Sequence, residues 1–129
     1  NSIPVKVKKT TSKPKKFSRA YILINEKNEI LVRKRASKGM LASMLEVPND
    51  DWVEKKSLLR RDAIVNKLQK KLIRKGELNY SFSHFDLYVE IFYKKIRKID
   101  YPKNKWLNIN KYSNSQLPTV MKKILEIMM

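Results

Sequence analysis

From Phe85 onward the chain alternates, with Leu87, Val89, Ile91 and Tyr93 on one side and Asp86, Tyr88, Glu90 and Phe92 on the other. A period of two predicts a half-buried strand, because successive side chains of an extended backbone point to opposite faces. Upstream, Phe17 to Asn25 and Glu29 to Arg35 read as two strands joined by the turn Glu26-Lys27-Asn28, so a hairpin is expected. Ala36 to Ala42, with Gly39, reads as a loop. Ser43 to Pro48 reads as a short apolar strand closed by Pro48-Asn49-Asp50-Asp51. Between Ser57 and Lys75 the period changes: Leu58, Val65, Leu68 and Leu72 share one stripe, Ser57 stands as an N-cap and Gly76 as a C-terminal cap. That combination predicts a helix. Lys105 to Ile109 forms a short last strand, and Leu117-Pro118-Thr119 opens a terminal helix that turns Val120, Ile124, Leu125 and Met128 inward. Asn1 to Lys16 is lysine-rich, with two prolines and only Ile3, Val5 and Val7 as core formers, and reads as a basic linker or arm before a domain spanning 17–129. The order β-β-β-α-β-β-α predicts a small mixed α/β (α+β) layer fold.

Composition narrows what such a fold can do. A length of 129 residues suffices for one core. With no cysteine, a disulfide framework, thiolate metal sites and a cysteine nucleophile are excluded. No apolar run approaches the ~20 residues of a membrane span, and the start lacks the apolar block of a signal peptide. A soluble protein of a reducing compartment is expected. Thirty basic against 12 acidic residues give a formal charge of +18, which favours a polyanionic partner. Yet 23 of the 30 are lysines, beside 12 Ile and 10 Asn, a bias that an A- and T-rich genome produces with no nucleic-acid role. The charge permits DNA or RNA binding and does not establish it.

Candidate chemistry concentrates in Tyr80-Ser81-Phe82-Ser83-His84-Phe85, which holds the chain's one histidine between aromatics at the entry to the alternating strand. A hydroxyl and an imidazole beside exposed rings can meet a planar heteroaromatic ligand by stacking and hydrogen bonds. The plainer alternative is a loop packed by its own aromatics, with His84 structural. Arg33, Lys34, Arg35 and Lys38 form the best local basic cluster for DNA phosphates, the alternative being a solvated strand end. Trp52 and Trp106 read as packing residues.

The order hairpin, glycine-containing loop, apolar-Glu-apolar-Pro and helix resembles a Nudix domain. A Nudix hydrolase needs carboxylates clustered on that helix, because Mg²⁺ takes oxygen ligands and must clamp a diphosphate. Between Lys55 and Lys75 the only acid is Asp62, amid Arg60, Arg61, Lys67, Lys70, Lys71 and Arg74. Pyrophosphatase chemistry is therefore not expected, and a binding module on that scaffold is. More specifically, Ala36-Ser37-Lys38-Gly39-Met40-Leu41-Ala42-Ser43-Met44-Leu45-Glu46-Val47-Pro48, Phe82-Ser83-His84-Phe85, Trp106 and Leu117-Pro118-Thr119-Val120-Met121-Lys122-Lys123 together resemble the C-terminal domain of MutY-type adenine DNA glycosylases. The resemblance covers the chain from about Pro14 onward. One departure is Asn49-Asp50, where many relatives carry small or glycine residues, so that loop is expected to differ in shape.

The resemblance implies a Nudix-like, non-catalytic domain that reads 8-oxoguanine paired with adenine in double-stranded DNA during base excision repair. Ser83 would hydrogen-bond the oxidised edge, Phe82 would wedge or stack nearby, and His84 would assist discovery of the mispair. Arg33, Arg35 and Lys38 stay as candidate backbone contacts. The partner implied is an N-terminal catalytic domain of the same polypeptide, which would carry the catalytic Glu and Asp and an iron–sulfur cluster. This cysteine-free segment would hold no cofactor, and a bacterial cytoplasmic, nucleoid-associated location follows. A stand-alone Nudix-like nucleotide hydrolase and a generic basic nucleic-acid-binding domain remain as alternatives.

Overall fold

The computed structural model describes residues 13–36, 39–66, 68, 71–114 and 116–129. Strand β1 (Lys15–Ile24) is the spine of a six-stranded mixed sheet. Its run Ala20-Tyr21-Ile22-Leu23-Ile24 is buried on both faces, as a central strand covered from two sides must be. Antiparallel β2 (Glu29–Lys34) follows through a turn in which Asn28 adopts φ 62° and the Asn25 Oδ1 accepts from the Lys27 and Glu29 amides at 2.8 and 3.0 Å. On its other edge β1 runs parallel to β5 (Asp86–Lys95), from Lys15 opposite Asp86 to Ile24 opposite Lys95. Strands β3 (Leu45–Glu46) and β6 (Lys105–Asn108) pair with β2, and β4 (Ile73–Ser81) pairs with β5, giving the order β3-β2-β1-β5-β4.

Two apolar layers sandwich this sheet. On one face Ala20, Ile22, Ile30, Val32, Leu87, Val89 and Ile91 meet helix α2 (Thr119–Met128), which buries Val120, Met121, Ile124 and Leu125. Each such side chain contributes about 1.5–3 kcal/mol of transfer free energy. On the opposite face Tyr21, Leu23 and Leu31 meet the short helix α1 (Ala63–Asn66) through Val65, with Leu68, Leu72, Phe92 and Trp106 completing the layer. No helix among the described residues is long and apolar enough to cross a membrane.

The hairpin, the alternating strand, the last strand and the terminal helix form as the pattern predicts, within a residue or two. The helix expected over 57–75 does not. Lys56–Leu58 is a single 3₁₀ turn, Leu58 is 51% exposed, and β4 already begins at Ile73. The N-cap is Asp62, whose Oδ1 accepts from the Ile64 amide at 3.0 Å, and not Ser57. Gly76 caps nothing: it sits at an irregularity in β4 under α2, where an added Cβ would stand 2.9 Å from Ile127 Cγ2. The apolar strand expected over 43–48 shortens to Leu45–Glu46. Of the segment read as an arm, residues 1–12 lie outside the described residues, and Lys15 and Lys16 belong to β1.

Candidate functional site

Ser81 ends β4, Asp86 begins β5, and the four residues between them make the turn that the sequence singles out. It is closed by the Phe82 amide donating to the Phe85 carbonyl at 2.9 Å. Phe82 does not stand free. Its ring lies 4.9 Å from Tyr80, 5.0 Å from Phe85 and 5.6 Å from Trp52 between centroids, and Phe85 is buried. Tilted and edge-on contacts of this kind add to the burial of each ring. The exposed aromatics expected at the strand end are thus an anchored cluster, and what projects is the pair Ser83 and His84, both exposed. Trp52 belongs to the same cluster, as a packing residue should.

The base of the turn is strapped by the segment leading into β1. The Lys13 ammonium donates to Ser81 Oγ and, at 2.8 Å, to the Phe82 carbonyl, and it lies 3.3 Å from Asp86 Oδ1. The Asp86 amide donates to the Pro14 carbonyl at 2.9 Å, and the Lys16 ammonium sits 4.8 Å from the Phe85 ring centre. The Ser81 hydroxyl, donating to Asp86 at 2.8 Å, and then Lys13 hold the Asp86 carboxyl below its ordinary pKa. Nothing in the sequence pattern marks Lys13 apart from its lysine neighbours.

Arg33 of β2 and Arg35 just beyond it turn to internal partners, while Lys34 between them is exposed. Arg33 donates from Nε to Glu46 at 2.8 Å, from Nη1 and Nη2 to Asp62 at 2.9 and 2.7 Å, and from Nη2 to the Asn49 carbonyl at 3.3 Å. Burial alone would lower its pKa, but the bonds to Asp62 and Glu46 prevail and raise it. Arg35 donates to Glu46 at 2.6 Å and to the Met40 carbonyl at 3.1 Å, while its guanidinium lies 4.6 Å over Trp52. Both proposed phosphate contacts therefore serve internal acids. Lys38, the third, lies outside the described residues.

Sequence reasoning missed the hub of this region. Asp50, fully buried, accepts from Arg19 Nε at 2.5 Å, from the Tyr21 hydroxyl at 2.8 Å and from the Asp62 amide at 2.9 Å. Burial first, and then the bond to Asp50, raise the Tyr21 pKa. Asn49 donates to Glu46 at 2.8 Å and accepts from the Trp52 indole at 3.0 Å. The Asn49-Asp50 departure was the available signal, since two polar residues that end the buried stretch 46–50 need partners.

These acids do not fit the Mg²⁺ that a hydrolase of this architecture would hold. Glu46, Asp50 and Asp62 each already face an arginine, and no group of three His, Cys, Asp or Glu gathers among the described residues. A cleft of about 520 Å³ opens beside them, between Lys16, Arg35, Met40, Glu46, Trp52 and Phe85.

The model of the NUDIX domain matches residues 19–127. The chain belongs to the NUDIX domain family. No curated protein matches it by sequence. Among solved structures, this NUDIX domain is similar to the MutT protein from Methanosarcina mazei Go1 (16% identity, TM-score 0.66, 92% of this chain and 96% of that one). It is likewise similar to the C-terminal domain of mouse MUTYH, solved in complex with human PCNA (17% identity, TM-score 0.68, 87% and 86%). Shewanella oneidensis NrtR, solved with a 27mer DNA, shares the fold at 8% identity and TM-score 0.62, with 87% of this chain covering 59% of that one.

Proposed function

We propose that this NUDIX domain is the lesion-recognition domain of a MutY-type adenine DNA glycosylase, reading 8-oxoguanine opposite adenine in duplex DNA. The observation that carries the reading is the Phe82–Phe85 turn, which holds Ser83 and His84 outward on an aromatic anchor strapped by Lys13. Oxidation at C8 turns N7 of guanine from an acceptor into an N–H donor. The Ser83 hydroxyl can accept from that N–H, whereas ordinary guanine presents only the N7 acceptor, to which the hydroxyl must instead donate. The anchor matters because a turn already packed in one shape loses little freedom when it meets a base. Lys13 and Lys16 beside the turn favour an approaching phosphate backbone. His84 is assigned a probing contact with the mispair, and Phe82 acts by supporting the turn. The resemblance to MutY-type domains and the fold shared with the mouse MUTYH C-terminal domain support the assignment. An N-terminal catalytic domain of the same polypeptide would then perform base excision, in the bacterial cytoplasm.

The test is fluorescence anisotropy at fixed salt with duplexes differing only in 8-oxoguanine·adenine against G·C. The wild type should prefer the lesion, and Ser83→Ala should reduce that preference by about fivefold, the loss of one hydrogen bond worth about 1 kcal/mol. Equal affinity of wild type and variant for the lesion duplex would remove Ser83 from the site.

A further inference from the structure

The sheet face opposite the recognition turn carries a second concavity, of about 390 Å³, that the reading above does not use. Three cations line it, Arg19, Arg61 and Lys71, and its apolar wall includes Tyr21, Phe92 and Leu68. Among the described residues, no carboxylate lines it. Glu90 sits opposite Arg19 in register on β5, and its carboxylate accepts from Arg74 at 3.0 Å.

Arg19 is held as an anion-binding arginine should be. Buried Asp50 accepts from its Nε, which fixes the guanidinium plane, and among the described residues no acceptor engages its two terminal nitrogens. A fork immobilised by its own carboxylate gives two parallel donors to an oxyanion at little further entropic cost. Arg61 adds a guanidinium that forms no ion pair among the described residues, whereas Arg33, Arg35, Arg74 and Arg97 all do. Beneath them the rings of Phe92 and Tyr21 stack at 6.0 Å with an interplanar angle of 25°, giving a flat wall. The Tyr21 hydroxyl donates to Asp50 and so contributes its ring rather than its polar end. Like charges converging on a half-buried concavity create a positive potential that an anion relieves.

We propose that this cleft is a metal-independent binding site for a phosphate ester. Arg19 and Arg61 receive the oxyanion, Lys71 closes the rim, and a planar group attached to the phosphate lies against Phe92. The shared chemistry is a phosphate beside a nucleobase, supplied either by a free nucleotide or by a nucleic-acid strand.

Amide chemical shifts of the whole chain, titrated separately with inorganic phosphate, AMP and a short duplex, each with and without EDTA, test this. AMP should shift the Arg19–Tyr21 and Phe92 amides saturably and more tightly than inorganic phosphate does. EDTA should change nothing, and Arg61→Gln with Lys71→Gln should weaken binding by about fivefold or more. A response to duplex with none to AMP supports the site and assigns the phosphate to a strand. No response to any of the three, an undiminished response in the double variant, or loss with EDTA overturns it. Arg61→Gln alone serves if the double variant misfolds. The inorganic phosphate and AMP arms involve no lesion duplex, so failure here and failure of the lesion reading stay separable.

Discussion

Arg33 looks in sequence like one cation in a basic strand end, yet the structure makes it the centre of an ion-pair network, and replacing it separates the two roles. In Arg33→Met the apolar stem is kept and four hydrogen bonds are lost, two of them to Asp62. Glu46 keeps Arg35 and Asn49, so most of the penalty falls on Asp62, whose carboxylate loses its bidentate partner while 14% exposed. Breaking a buried pair from one side costs about 3–5 kcal/mol. Because the Arg33 side chain is 30% exposed and one acid retains a partner, about 2–3 kcal/mol is expected here. With an unfolding entropy of about 2.1 cal/mol/K per residue, that corresponds to a Tm lower by roughly 7–11 °C. Urea denaturation followed by circular dichroism measures the loss, and Asp62→Leu in the same chain should restore part of it by removing the stranded charge. The second arm is the salt dependence of duplex binding at a temperature where the variant is folded. An internal arginine leaves the slope of log affinity against log salt unchanged, while a phosphate contact lowers it by about 0.9. A stability loss below about 0.5 kcal/mol together with a lowered slope would refute the structural assignment.

Three further perturbations probe the turn, the hub and the α2 contact. Since Ser81 and then Lys13 hold the Asp86 carboxyl low, its contribution is present above the ordinary aspartate pKa and lost as pH falls through the lowered one. Ser81→Ala should raise the Asp86 midpoint in a carbon NMR titration, and an unmoved midpoint would place the cause elsewhere. For Tyr21 the sign is opposite: burial and the bond to Asp50 raise its pKa, so the folded state holds the proton more tightly and stability falls as pH rises beyond the ordinary value of 10.0. Tyr21→Phe should flatten the alkaline fall in urea stability above about pH 10 relative to wild type, and an equally steep fall assigns it to other groups. Gly76→Ala should cost about 1–3 kcal/mol by driving a methyl into Ile127 at a φ of 157° that favours glycine, and Gly76→Ala/Ile127→Ala should recover only the part due to the clash. Additive losses in the double variant would mean that the two residues do not clash.

What the sequence discloses depends on whether an element's logic is local. The strand from Asp86 and helix α2 are legible because their buried faces repeat at periods two and 3.6, and Leu87, Val89 and Ile91 are buried as that pattern requires. Strand β4 is not legible. It is an edge strand whose Arg74, Lys75, Glu77 and Asn79 are exposed, and Gly76 within it imitates a helix cap, so only Leu78 and Tyr80 speak for a strand. The candidate turn is found by its aromatics, but their meeting with Trp52 across some 30 residues is tertiary. The orientation of Arg33 was partly readable, since it lies on the same side of β2 as buried Leu31. Its partners at positions 46 and 62 were not, because they reach it only once β3 and α1 are docked.

The same division of labour governs how the +18 charge can act. Arg19, Arg33, Arg35, Arg74 and Arg97 each hold an acid, so five of the seven arginines are committed within the fold. The excess positive charge therefore resides largely on lysines, which are strongly hydrated point charges on flexible stems. Such a surface attracts a polyanion at a distance and releases counterions on contact, but it carries little directional information. On the proposed reading, discrimination comes instead from an uncharged group, the Ser83 hydroxyl on its strapped turn. Raising salt should accordingly weaken all duplex binding together and leave the ratio of lesion to ordinary affinity nearly constant, as competition titrations at two salt concentrations can measure. A ratio that collapses with salt would instead make lysine contacts the source of selectivity, and the turn only a scaffold for them.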